Sequence, residues 1–149
     1  MIIGDRVDEI NAKIQERKEH EGINITMNIR DIVERNGIIE YYYVYNVEYK
    51  NIGYISLKGV LFGKDEPNTI IEEWKKNKKI DKENMERLLN VINYVGSIHC
   101  TLVANVLSYT PPIRPLTLKI KEEQEEKREW LSKNKKKAAF ILYLIFEHV

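Results

Sequence analysis

The clearest pattern in the chain is an alternation of apolar and polar residues over positions 23–29. The alternating residues are Ile23, Asn24, Ile25, Thr26, Met27, Asn28 and Ile29. This period of two is typical of a half-buried strand. The pair Asn36-Gly37 follows, and it suits a type I′ turn because both central residues of that turn need positive φ. The pattern therefore predicts a hairpin whose second strand returns antiparallel.

Residues 38–49 form the most strand-like segment, since aromatic and β-branched residues favour strands. One predicted face carries Ile39, Tyr41, Tyr43, Tyr45, Val47 and Tyr49. A turn at 50–53 leads to a further strand at 54–62, in which Gly59 suggests a bulge. The sequence thus predicts an antiparallel β-meander over residues 23–63.

The segment before this meander, residues 7–16, fits two structures. Val7, Ile10 and Ile14 continue a helical stripe, whereas Ile10, Ala12 and Ile14 alternate as in a strand. The pattern alone leaves both alternatives open.

Two helices are predicted after the meander. The sequence Glu66-Pro67-Asn68 suits the start of a short helix. Asp81 can cap a second, long helix, in which apolar residues keep helical spacing from Met85 to Leu107. The pair Gly96-Ser97 is a candidate position for a break in this helix. It must end by residue 110, because the prolines that follow cannot donate to a helical ladder.

The C-terminal part is strongly charged and then apolar. Residues 121–137 could form a solvated helix, and residues 138–146 form an apolar run of nine. A bilayer span needs about 20 apolar residues, so integral membrane insertion is not expected. We expect one domain over residues 1–149, with 121–149 as a charged helix plus an apolar tail.

Charge and cysteine content indicate the cellular compartment of the protein but say little about its function. The chain has 24 Lys plus Arg and 23 Asp plus Glu, so no net field attracts a polyanion or an acidic membrane. The single Cys100 cannot form an internal disulfide and suits a reducing compartment. The first residues lack the pattern of a secretory signal. We therefore expect a cytoplasmic protein.

No motif predicts catalysis. His20, His99 and His148 are far apart, and the neighbours His99 and Cys100 would point about 100° apart on a helix. No spacing typical of a metal site occurs, and no glycine-rich loop leads from a strand into a helix. We expect no metal, no cofactor and no enzymatic activity.

The tyrosines support two interpretations. Six of the nine lie between positions 41 and 54. They could pair across strands as core residues, or an exposed tyrosine face could stack nucleic-acid bases or bind apolar peptide. Acidic residues offset the basic residues of the meander. Without a basic stripe, nucleic acid is the less favoured partner.

The order of elements resembles the SecB-like export chaperones. Residues 98–120, which run IHCTLVANVLSYTPPIRPLTLKI, are similar to that family's helix and proline-containing crossover segment. The resemblance implies that residues 7–16 are the first strand of a four-stranded antiparallel sheet, an α+β fold with helices packed on one face. It also implies an ATP-independent holdase that binds unfolded or export-competent polypeptide in apolar grooves, as a dimer or tetramer.

The implied peptide-binding surface combines the strand tyrosines with the crossover segment. Its predicted residues are Tyr41, Tyr43, Tyr45, Pro111, Pro112, Ile113, Pro115, Leu116 and Leu118. The bacterial export chaperones are strongly acidic, which suits the SecA motor, whereas this chain is near neutral. A dedicated client, as in SecB-like toxin-antitoxin chaperones, fits equally well. The alternative function is a nucleic-acid-binding sheet assisted by the lysine-rich segments 75–79 and 133–137.

Overall fold

Long antiparallel strands make up the first half of the chain. The computed structural model describes residues 1–19 and 21–112. In these residues the elements are β1 (Ile2–Ile14), β2 (Ile23–Arg35), β3 (Ile38–Tyr49), β4 (Gly53–Lys64), α1 (Asn68–Asn77) and α2 (Lys82–Val106). The described part therefore has the predicted order of a meander followed by a short and a long helix.

The strands form one sheet in the order β1-β4-β3-β2, with every neighbouring pair antiparallel. The segment 7–16 is thus a strand, which begins earlier than predicted, at Ile2, and ends at Ile14. The four-stranded antiparallel α+β fold is confirmed. Asn36 and Gly37 have φ of 52° and 76°, as the predicted turn between β2 and β3 requires.

The bulge predicted at Gly59 lies on the neighbouring strand instead. The register of β1 against β4 shifts between Val7 and Glu9, whereas β3 pairs with β4 without interruption. Glycine is needed at position 59 for a different reason. A Cβ there would lie 2.6 Å from the Tyr43 hydroxyl and from the Arg6 carbonyl oxygen. Close packing, and not backbone irregularity, requires glycine at this position.

The core lies between the inner face of the sheet and the two helices. Alternate residues of β3 are buried, and they share one cluster with residues such as Trp74 of α1 and Leu88 of α2. Asp81 caps α2 as predicted, since its side chain accepts a hydrogen bond from the Asn84 backbone N–H. The helix is continuous through Gly96, so the candidate break does not occur there.

The glycine at position 96 is explained by the sheet below it. A Cβ there would lie 2.5 Å from the Tyr45 ring, so the missing side chain lets the helix approach an aromatic strand. A mid-helix glycine costs about 1 kcal/mol in intrinsic propensity. The close contact with Tyr45 offsets that cost in this fold.

Several predictions fall on residues outside the described ranges. These are the crossover residues Ile113, Pro115, Leu116 and Leu118, the segment 121–149 with its lysine-rich run, and the histidines His20 and His148. The single-domain organisation over residues 1–149 stays a prediction for the same reason.

Candidate functional site

The structure places the three predicted binding tyrosines in the core. Tyr41, Tyr43 and Tyr45 are 0%, 1% and 0% exposed, respectively. Burial raises the pKa of all three phenols, that of Tyr43 to about 12. The exposure that peptide contact requires is therefore absent while α2 covers β3. The structure favours the alternative that these tyrosines are core residues.

The hydroxyl groups of these three tyrosines differ in whether they have a hydrogen-bond partner. The Tyr41 hydroxyl donates to Glu66 Oε2 at 3.0 Å, and the Tyr45 hydroxyl donates to Asn93 Oδ1 at 3.2 Å. The Tyr43 hydroxyl has no hydrogen-bond partner in the described residues. An unpaired buried hydroxyl is unfavourable, so Tyr43 contributes to the core through its ring and not through its polar group.

Glu66 connects the end of the sheet to α2. Its carboxylate accepts hydrogen bonds from Arg87, Tyr41 and the Met1 amine. Burial raises the Glu66 pKa, but these hydrogen bonds outweigh burial and hold it below its usual value of 4.5. The contacts are structural, because Arg87 and the Met1 amine neutralise the buried carboxylate and Tyr41 donates a further hydrogen bond to it.

The chain that enters the proline segment is anchored to the sheet and to the loop after β1. Tyr49 donates to the Thr110 carbonyl at 2.8 Å, and its ring packs edge-to-face on Tyr109 with centroids 5.0 Å apart. The Tyr109 hydroxyl donates to the Lys18 carbonyl at 2.8 Å. Beyond this anchor Pro111 is exposed and Pro112 is buried. Of the predicted crossover residues in the described part, only Pro111 is freely accessible.

An apolar stripe on the outer side of α2 is the main exposed apolar surface that the described helices offer. We call it the α2 stripe. Its four members recur every four residues and are 58%, 42%, 59% and 84% exposed: Tyr94, Ile98, Leu102 and Val106. The sequence pattern did not distinguish these four residues from the other apolar residues of α2. The spacing that marks it was hidden, because α2 carries a second apolar face with similar spacing.

The C-terminal half of the α2 stripe, which contains Leu102 and Val106, faces the edge strand β1. His99 Nε2 lies 2.7 Å from Asp5 Oδ2, so the helix face that carries His99 points toward β1. Leu102 and Val106 follow three and seven positions later and share that face. Ile10 lies on the inner face of β1, opposite Leu57, and is 51% exposed. Leu102, Val106 and Ile10 are thus exposed apolar residues on the same side of the sheet.

The described residues show no arrangement suited to catalysis. Cys100 is completely buried, and burial raises its pKa to about 12, so the thiol stays protonated at neutral pH. His99 contacts a carboxylate, but not a nucleophile. No group of three or more His, Cys, Asp or Glu within residues 1–19 and 21–112 could hold a metal ion.

The outer face of the sheet has a shallow depression of about 540 Å³. Charged residues of both signs line it, among them Glu9, Arg30 and Lys58. Lys58 Nζ donates to Glu9 Oε2 at 2.9 Å. Internal ion pairing of this kind leaves little net charge to select a ligand.

In the part of the chain that the structure describes, neither helix is long and apolar enough to cross a membrane. Fold and surface together define an α+β protein with an antiparallel meander and an exposed apolar helix stripe. The chain matches no family model, and no curated protein matches it in sequence.

Among solved structures, the chain is similar to a SecB-like chaperone of Mycobacterium tuberculosis in complex with a ChAD peptide from the HigA1 antitoxin. The two chains are 11% identical, with a TM-score of 0.49, over 82% of this chain and 89% of the other. The similarity concerns the arrangement of strands and helices. The fold described above rests on the strand order of this chain itself.

Proposed function

We propose that this protein is an ATP-independent chaperone that binds unfolded polypeptide on the α2 stripe and the adjoining proline segment. The observation that carries the proposal is the stripe itself, in which four large apolar side chains remain exposed on a helix whose other side is fully packed. Contiguous exposed apolar surface marks interaction sites in soluble proteins.

The dimensions of the stripe suit a short segment of extended chain. From Tyr94 to Val106 the helix advances about 18 Å at 1.5 Å per residue. An extended polypeptide covers that distance with about five residues. The stripe offers one phenol and three aliphatic side chains, which select apolar character and not a particular sequence. A holdase needs this kind of tolerance.

The proline segment extends the proposed surface. Tyr109 and Thr110 are fixed by hydrogen bonds to the rest of the molecule, so the chain leaves the end of the stripe at a defined place. Pro111 is exposed there, and we include Ile113, Pro115, Leu116 and Leu118 in the proposal because they follow it in sequence. In this arrangement Tyr41, Tyr43 and Tyr45 do not contact the client. They pack in the core between the sheet and α2.

Aggregation of a reduced, unfolded client protein tests the proposal. The wild-type protein should suppress light scattering at stoichiometric amounts without ATP. The double variant I98S/L102S should lose most of that suppression, because it removes the centre of the stripe. Tyr54→Ser is the matched control, since Tyr54 is 43% exposed on the opposite face of the sheet. Undiminished suppression by the double variant, with unchanged circular dichroism, would exclude the stripe as the binding surface.

The structure gives less support to nucleic-acid binding. Four of the six tyrosines between positions 41 and 54 are buried, and Lys58 and Arg35 lie within 4 Å of Glu9 and Glu40. A salt titration checks this alternative, because phosphate contacts make log affinity fall linearly with log salt concentration. We expect no binding at low salt.

A further inference from the structure

The C-terminal half of α2 is almost free of charged side chains. Residues 88–112 include no Asp, Glu, Lys or Arg. His99 lies in the middle of this stretch, and histidine is the side chain that ordinarily gains or loses its charge between about pH 5 and pH 8. Protonation of His99 therefore changes the charge of a helix surface that is otherwise neutral in this range.

His99 joins α2 to the edge strand β1. Its Nε2 atom lies 2.7 Å from Oδ2 of Asp5, a residue 94 positions earlier in the chain. The two side chains are 30% and 28% exposed. Water screens fully exposed ion pairs so strongly that they stabilise little, whereas partial burial preserves more of the attraction. The contact is thus a partly shielded link between two elements that are distant in sequence.

Asp5 lies on the side of β1 that faces α2. Its register partner on β4 is Leu61, which is completely buried, so both side chains point toward the core. The β4 residues beside Leu61 that pair with this part of β1 are Val60 and Gly59, and none of the three ionises. This part of β4 therefore supplies no charge that competes for the His99 ring.

The other titratable groups around the pair do not change the local charge near neutral pH. Burial, and then the charge of Asp5, raises the pKa of Tyr43 on β3 to about 12. Burial also raises the pKa of Cys100 to about 12. Asp8 of β1 accepts a hydrogen bond from Arg6 Nε at 2.5 Å, so these two charges balance each other. The charge of the neighbourhood therefore follows the protonation of His99.

The α2 residues that face the sheet become smaller toward the C-terminal end of the helix. Leu88 and Ile92 are the completely buried residues of the first half, and Cys100 and Ala104 are those of the second half. Stabilisation by burial grows with the apolar area removed from water. Packing therefore holds the second half of α2 less strongly, and a polar link contributes a larger share there.

We propose that Asp5 and His99 form a pH-sensitive latch between β1 and the C-terminal half of α2. While His99 is protonated, the latch is a charged pair. As the pH rises from about 5.5 to 8, His99 loses its proton and keeps at most the weaker hydrogen bond of a neutral ring. Ile98 and Leu102 adjoin His99 along the helix, so the latch determines how firmly the α2 stripe is held. It requires only the fold and does not depend on the proposed chaperone function.

Hydrogen exchange of backbone amides at two pH values tests the latch. The ratio of intrinsic to observed exchange rate measures how rarely a segment opens. For residues 100–106 of the wild-type protein this ratio should fall about fivefold between pH 5.5 and pH 8, because the charged pair is lost. For residues 84–92, in the first half of the same helix, it should stay constant. No fall in the first segment, or an equal fall in both, would overturn the proposal.

Asp5→Asn and Asp8→Asn are a matched pair of variants on one strand. Asp5→Asn removes the charge that faces His99, so the ratio for residues 100–106 should already be low at pH 5.5 and should stay constant up to pH 8. Asp8→Asn removes a carboxylate that binds Arg6, and it should retain the fivefold change. Circular dichroism shows whether both variants fold. A pH dependence that survives in Asp5→Asn would contradict the latch.

A double-variant cycle shows whether the two residues act together. His99→Gln keeps a hydrogen-bond donor that cannot gain charge, so its exchange ratio should match that of Asp5→Asn at both pH values. The double variant D5N/H99Q should have the same ratio as either single variant, because the charged pair is lost only once. Losses that add in the double variant would mean that Asp5 and His99 act separately, and the latch would be wrong.

Discussion

The two sides of α2 are both apolar, but one is buried and the other is exposed to solvent. Toward the sheet, Leu88, Cys100 and Ala104 are completely buried. Toward solvent, Ile98 and Leu102 remain about half exposed with the same helical spacing. Periodicity identifies apolar residues on a helix, but only the neighbouring sheet decides which of them form the core. The exposed side is the one that remains available for binding.

Leucine truncation on the two sides should give the largest contrast. Leu88→Ala should lower the free energy of unfolding by about 3 kcal/mol, because it removes a fully buried side chain and leaves a cavity. Leu102→Ala should change it by less than about 0.5 kcal/mol. Urea titration followed by circular dichroism measures both. Equal losses would show that Leu102 is buried in the solution state, as in an oligomer.

Added volume at the contact between α2 and β3 should have the next largest effect. Gly96→Ala places a methyl group against the Tyr45 ring and should destabilise the fold by about 2 kcal/mol, although alanine favours helix. Gly4→Ala is the control, since nothing lies within 4 Å of a Cβ there. A stabilised Gly96→Ala variant would mean that α2 does not approach the tyrosines closely.

The ion pair at the start of α2 should make stability depend on pH. The Glu66 pKa is lowered in the folded state, so its contribution is present above about pH 4.5 and is lost as pH falls through the folded value. Glu66→Gln should cost about 1.5 kcal/mol at pH 7. The variant should also show a flatter decline in urea midpoint between pH 5 and pH 3. Parallel curves for the two proteins would contradict this assignment.

The smallest expected effect is the difference in stability between variants that remove one of two buried hydroxyl groups. Tyr45→Phe removes a hydrogen bond to Asn93 and should cost about 1 kcal/mol. Tyr43→Phe removes a hydroxyl that has no partner in the described residues, so stability should stay the same or rise slightly. Thermal unfolding of the two variants measures the difference. A larger loss in Tyr43→Phe would indicate a partner for that hydroxyl.

The sequence by itself determined the three strands of the meander, the turn at Asn36-Gly37 and both helix starts. These features depend on local chemistry: a period-two pattern, residues that adopt positive φ, and a side chain that caps a helix. It left β1 undecided between helix and strand, because Ile10 and Ile14 fit both periods, whereas Val7 fits only the helix and Ala12 only the strand. Pairing with β4 settles that choice, and it is a non-local interaction.

Only the tertiary structure decided the roles of the tyrosines and of two glycines. Gly59 and Gly96 resembled a bulge and a helix break, whereas both are close contacts with tyrosine rings from β3. The same contacts bury Tyr43 and Tyr45 and so move the candidate surface to the opposite side of α2. The sequence shows which residues are apolar. Which of them are exposed depends on how helices and strands pack together, and that packing joins residues that are distant in the chain.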